Sequence, residues 1–231
     1  MNLQWKPARP LSRVALEGEL VRLEPVDVAR HASQLFAAQA GAPQIWEYLP
    51  YGPFESEMVF RAWLTERATT SDPLFYAIID RTSGRALGMA SFLRVEPGHG
   101  VIEVGHIWYS PALQRTRLAT EAMYVMARHV FDDLGYRRYE WKCNALNEPS
   151  RRAAVRLGFT FEGVFRQHMV VKDRNRDTAW YSMLDSEWPA AKAAFEAWLR
   201  PENFDGEGRQ IRSLAELRVA PASVDSSSER G

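Results

Sequence analysis

The chain has 231 residues, enough for one domain with a substantial core. Hydrophobic residues make up 46% and charged residues 25%, which is the balance of a globular protein and not of a disordered one. Lys plus Arg is 29 and Asp plus Glu is 29, so no broad basic field is available to hold nucleic acid or an anionic membrane. The lone Cys143 excludes an internal disulfide framework and fits a reducing compartment. The opening residues MNLQWKPARP lack the apolar core of a signal peptide, and no apolar run is long enough to span a bilayer. The expected location is cytoplasmic.

Residues 19–26 read as an opening strand in which Val21 and Leu23 alternate with Arg22 and Glu24. Asp27 is placed to cap a helix that ends near Gly41. Residues 43–54 form an aromatic, proline-rich connection, and Glu55 to Arg67 reads as a second helix with Met58, Ala62 and Trp63 on one face. Three β runs follow, at 74–80, 86–95 and 101–109, separated by tight turns at 82–84 and 97–100. From Leu118 the period becomes helical through Ala122, Met126 and Val130, and Gly135 stops it.

Tyr139, Trp141 and Cys143 then alternate with Arg138, Glu140 and Lys142, a strand with one buried face. Pro149 opens a short helix that closes at Leu157-Gly158. Two further strands, 159–170 and 178–185, are expected around a charged turn at 172–177, and Glu187 to Leu199 is a last helix. From residue 203 the chain is polar. The expectation is therefore one domain over 1–202 and a loosely ordered tail over 203–231. The fold class is α/β (α+β): a meander followed by strand–helix–strand units makes a mixed sheet in which two neighbours part and admit a ligand.

The informative stretch is strand 101–109, the segment SPALQRT, and the helix after it. The first amides of a helix have no internal partner and lie at the positive end of its dipole, so such a turn suits a pyrophosphate. Gln114-Arg115-Thr116-Arg117-Leu118-Ala119, followed by Thr120, resembles the phosphate loop Gln/Arg-x-x-Gly-x-Gly/Ala of the GNAT superfamily of N-acetyltransferases. Asn147 and Ser150 before a short helix ending Gly158-Phe159 resemble that family's second motif. The likeness runs from about residue 16 to 190 and is nearest the branch that acetylates the N-termini of ribosomal proteins. Arg117 departs from the pattern by standing where the family has Gly.

The resemblance implies a mostly antiparallel twisted sheet of about seven strands, flanked by helices and split centrally for acetyl-coenzyme A. It implies an acetyltransferase acting on a primary amine, either a protein N-terminus or a small molecule, with a homodimer as a further expectation. A non-catalytic acyl-CoA-binding sensor on the same fold is the alternative. By the same likeness, main-chain groups of Ile107, Trp108 and Tyr109 would pair with pantetheine. Gln114, Arg115, Thr116, Arg117, Leu118, Ala119 and Thr120 would cradle the pyrophosphate, and Asn147 would hydrogen-bond the pantetheine arm. Ser150 would sit near the CoA sulfur as a proton donor, or serve as a structural hydroxyl.

Glu103 is the candidate general base, or else a salt-bridged strand residue. His106 is a second candidate base, or else a core histidine. It falls on the opposite face by strict alternation, unless Gly105 marks a bulge. Trp46, Tyr48 and Tyr51 are candidate walls of the acceptor pocket, or packing. Histidines 31, 99, 106, 129 and 168 show no metal-ligand spacing, so no metal is expected.

Overall fold

The computed structural model describes residues 4–219. Its eight strands are β1 (Leu16–Glu17), β2 (Val21–Pro25), β3 (Leu74–Asp80), β4 (Ala86–Glu96), β5 (Val101–Tyr109), β6 (Arg138–Asn144), β7 (Thr160–Val171) and β8 (Arg174–Leu184). They form one sheet in the order β1-β2-β3-β4-β5-β6-β8-β7. Every pairing is antiparallel except β5 with β6. The sheet has one strand more than the expected seven because two residues at 16–17 pair ahead of β2.

Helices α1 (Val28–Ala38) and α2 (Glu57–Thr69) cover one face of the sheet. The other face carries α3 (Arg117–Arg128), α4 (Glu148–Leu157), α5 (Trp188–Leu199) and α6 (Leu214–Val219). Asp27 caps α1 by accepting from the Arg30 amide, as its sequence position suggests. Ser56 caps α2, and that helix buries Phe60 and Leu64; Met58, expected on the inner face, is 78% exposed. The actual face is set by the i, i+4 pair, which meets Trp46 and Trp63 of the same apolar cluster. Gly135, at φ 73, ends the turn after α3, and Gly158, at φ 103, caps α4.

Two further corrections concern charged segments. Residues 172–177 are not a turn: only Lys172 and Asp173, both at positive φ, make the reversal, and β8 begins at Arg174. A two-residue turn of that kind matches the twist of a hairpin, so the strands run to its edge. Nor is the stretch after residue 202 loose throughout. Asn203 donates to the carbonyls of Trp198 and Arg212, Phe204 bridges Gln210, and α6 buries Leu214 against the main core. Side-chain hydrogen bonds satisfy a polar segment that has few apolar residues of its own. The part of the expected tail beyond residue 219 lies outside the described residues.

Glu121, in α3, is buried and ties the two halves of this side together. Its carboxylate accepts from the amides of Glu19, Leu20 and Val21 at 2.9, 2.7 and 2.7 Å. No helix among the described residues is long and apolar enough to cross a membrane.

Candidate active site

β5 and β6 pair only over Val101–Val104 against Arg138–Trp141. Beyond that point β5 continues along β4 to Tyr109 and β6 continues along β8 to Asn144, so the two strands part. The edges of Ile107, Trp108 and Tyr109 that face the gap have no ladder partner among the described residues. Such an edge accepts an extended chain by strand addition. The Trp108 side chain itself is buried, and Ile107 and Tyr109 pack against the core on the α3 side.

At the mouth of this gap, Tyr109 leads through Ser110–Thr116 into α3. Gln114 is used locally: its Nε2 donates to the Tyr109 carbonyl at 2.9 Å and its amide donates to Ser110 O at 3.0 Å. Thr116 caps the helix, accepting from the Ala119 amide. The amides of Arg115, Thr116, Arg117 and Leu118 have no acceptor among the described residues. Four successive free donors at a helix start make an anion cradle. Thr120 is buried, and its hydroxyl accepts from Arg156 Nη1 at 3.1 Å.

The residue in the left-handed region here is Arg115, at φ 61, and not Arg117, which is the first residue of α3. A Cβ therefore meets no backbone strain at 117. The Arg117 side chain turns away from the mouth. Its Nη2 donates to the Leu199 carbonyl at the end of α5, and its guanidinium lies 4.3 Å from the Phe204 ring centroid. Arg in place of the Gly of the phosphate-loop pattern thus leaves the amides open.

Asn147 is the N-cap of α4, with Oδ1 accepting from the Ser150 amide at 3.1 Å. Its Nδ2 has no partner among the described residues. Ser150 Oγ accepts from Trp141 Nε1 at 3.0 Å, which leaves the hydroxyl hydrogen available. Cys143 is buried, and burial pushes its thiol up, as befits a core residue.

Glu103 is 5% exposed and sits in a buried ion cluster that alternation on β6 had not suggested. Its Oε2 lies 2.9 Å from Lys142 Nζ and 3.1 Å from Arg94 Nε. Lys142 also pairs with Glu140 at 2.7 Å and lies 3.8 Å from the Trp180 ring centroid. Arg138, Glu140 and Lys142 were expected on a solvent face. The Glu140 and Lys142 side chains are instead buried, because β8 carries Trp180 directly opposite Lys142. Both cations engage this one carboxylate oxygen. Burial pushes the Glu103 carboxyl up, against the pull of Lys142 and Arg94.

His106 joins Glu103 on one face through a bulge. Met89 pairs with Trp108 and Ser91 with Gly105, so His106 and Ile107 together oppose the single Ala90. The positive φ of 52 falls on His106 itself. Its ring stacks on Tyr51, with Nδ1 2.9 Å from the Tyr51 hydroxyl, and packs 5.1 Å from Phe75. Burial, reinforced by the positive charges of Arg67 and Arg176, pushes its pKa down to about 4, so the ring is neutral at pH 7.

The acceptor-pocket candidates divide. Tyr48 lines a cavity of about 440 Å³ beside the cleft, and its hydroxyl donates to the Leu146 carbonyl at 3.3 Å. Tyr51 reaches His106 but not that cavity. Trp46 is not a wall at all. It is 1% exposed, its Nε1 donates to Gln39, and it packs on Phe54 and Trp108, because the turn at Pro43–Trp46 folds it under the loop. Sequence reading missed Lys142, Arg94 and Arg176. Their available signal was a charge at each strand position neighbouring Glu103 or the hairpin end.

Comparison with known proteins adds four findings. The model of the acetyltransferase (GNAT) domain matches residues 21–160. The ribosomal-protein-serine acetyltransferase of Escherichia coli (strain K12) is 29% identical over 102 residues, which is 44% of this chain and 56% of that enzyme, so the match spans little more than half of the relative. The crystal structure of a GCN5-related N-acetyltransferase from Brucella melitensis superposes with a TM-score of 0.91 at 50% identity, covering 93% of this chain and 98% of that one. The Microcin C7 self-immunity acetyltransferase MccE, solved with acetyl-CoA and AMP, superposes with a TM-score of 0.64 over 72% of this chain and 93% of its own; at 18% identity that likeness is one of fold.

Proposed function

The chain belongs to the GNAT acetyltransferase family, and from that premise we propose that it transfers the acetyl group of acetyl-CoA to a primary amine by direct attack. The observation that carries this reading is the parting of β5 from β6 beside four free amides at the start of α3. Together they fit an extended, pyrophosphate-bearing thioester: open strand edges for the arm, donors for the phosphates. When bound, acetyl-CoA supplies an acyl group already activated toward amines.

This chain's residues divide the work. The amides of Arg115, Thr116, Arg117 and Leu118 hold the pyrophosphate, and Thr116 keeps them aligned as the cap. Asn147 Nδ2 donates to the pantetheine arm while Oδ1 holds α4. A strand amide at Ile107 or Trp108 donates to the carbonyl oxygen as negative charge develops there. Glu103, buried and with a raised pKa, takes the amine's proton through water, since an ammonium is not a nucleophile. The C–S bond breaks, and the departing thiolate takes a proton from Ser150 or water. His106, neutral and weakly basic, orients Tyr51 and serves as a packing group more than as a base. Likeness to the ribosomal-protein-serine acetyltransferase of Escherichia coli makes a ribosomal protein one acceptor to try.

The test is a calorimetric titration with acetyl-CoA of the native protein and of Asn147→Asp, which keeps the helix cap and removes the Nδ2 donor. The expected result is saturable binding that weakens about tenfold in the variant with an unchanged melting temperature. Absence of binding by the native protein would sink the proposal.

A further inference from the structure

The cavity beside the cleft carries a charge of its own. Its lining includes Glu47 and Tyr48 on one side, Asn144 at the end of β6, and Lys172, Arg174 and Arg176 of the β7–β8 hairpin. Three cations thus face one carboxylate. Lys172 Nζ donates to the Trp46 carbonyl at 2.8 Å, which ties the hairpin to the loop but neutralises nothing. Arg174 is exposed.

Arg176 is half-buried. Its Nε donates to Thr178 Oγ1 at 3.2 Å, and it has no carboxylate partner among the described residues. Thr178 pairs with Asn144 in the sheet, so Arg176 stands two positions beyond the end of β6. A half-buried guanidinium without a counter-ion, at the mouth of a cavity, is costly unless an anion completes it. Both of its terminal nitrogens remain for a bidentate partner.

We infer that the acceptor is an amine that also bears an anionic group, a carboxylate or a phosphate, which pairs with Arg176 while Lys172 and Arg174 line the rim. This rests on the reading of the chain as an amine acetyltransferase. The same cations serve the chemistry: positive charge around the acceptor disfavours its ammonium form and so lowers the amine's pKa toward the free base that attacks.

The test is acetyl transfer, read as thiol release, to matched amines: C-terminally amidated seryl-glutamate against C-terminally amidated seryl-glutamine, and O-phosphoethanolamine against ethanolamine. The anionic member of at least one pair should have the higher kcat/KM by about tenfold or more, the scale of one charge-assisted hydrogen bond. Whichever pair shows the larger ratio identifies the anion. In Arg176→Gln the ratio should fall toward one, and Arg176→Lys should restore part of it. Transfer with no preference for the anion, or a preference that survives Arg176→Gln, would overturn the inference and leave the transferase reading standing. Bound acetyl-CoA with no transfer to any of these amines would overturn both.

Discussion

Acid should weaken this fold through His106, and the size of the effect follows from its surroundings. The ring is stacked on Tyr51, packed on Phe75 and near the charges of Arg67 and Arg176, so its folded pKa is pushed down to about 4 from an ordinary value near 6.5. The unfolded chain then binds more protons than the folded one between those two values. Stability is fully present above the ordinary pKa and is lost as pH falls toward the folded one. Between pH 7.5 and pH 5 the loss from this group is about 2 kcal/mol.

His31, buried and also lowered, adds a slope of the same sign, so a variant is needed to isolate His106. His106→Asn removes the titration while tolerating the positive φ, and the lost ring packing costs the same at every pH. Urea unfolding of both proteins at the two pH values gives the contrast directly. The difference between pH 7.5 and pH 5 should shrink by about 2 kcal/mol in the variant. Equal differences in the two proteins would show that the imidazole is not held neutral, and the packing argument would fail.

Two further outcomes follow from contacts outside the cleft. Glu121→Ala leaves the amides of Glu19, Leu20 and Val21 without acceptors in a buried place, and denaturant titration should show a loss of about 3 kcal/mol or more. Arg117→Ala removes the bond to the Leu199 carbonyl and the contact with Phe204, costing about 2 kcal/mol; amide exchange should accelerate over residues 200–214, and unchanged exchange there would refute the contact.

Much of the architecture was legible because the periods were clean. The strand over Val101–Tyr109, the cap at Asp27 and the stops at Gly135 and Gly158 follow from alternation, side-chain capping and left-handed glycine. The site was legible where main chain does the work, since a strand–loop–helix passage leaves free amides whatever its side chains. It was illegible where long-range packing decides. Glu140 and Lys142 read as a solvent face because nothing local says that Trp180 will lie across them. Trp46 reads equally as a pocket wall or as packing in sequence, because an aromatic in a proline-rich loop carries no mark of which way it folds; it is buried. The segment after residue 202 looked loose because hydropathy does not register an Asn that holds two carbonyls.

The bulge at His106 and Ile107 has a consequence for how this site is inherited. Glu103 and His106 share a face only because β5 carries one residue more than β4 across that step. The arrangement is thus written in chain length as well as in side-chain identity. Point substitutions along β5 can retune each group but cannot move one to the other side of the sheet. Deletion of Ile107 would do so at once: with the bulge gone, His106 would oppose Ala90 and turn to the other side of the sheet from Glu103, while Trp108 kept its place. Length variation in this strand, more than drift in its letters, is where divergence of function would first be recorded.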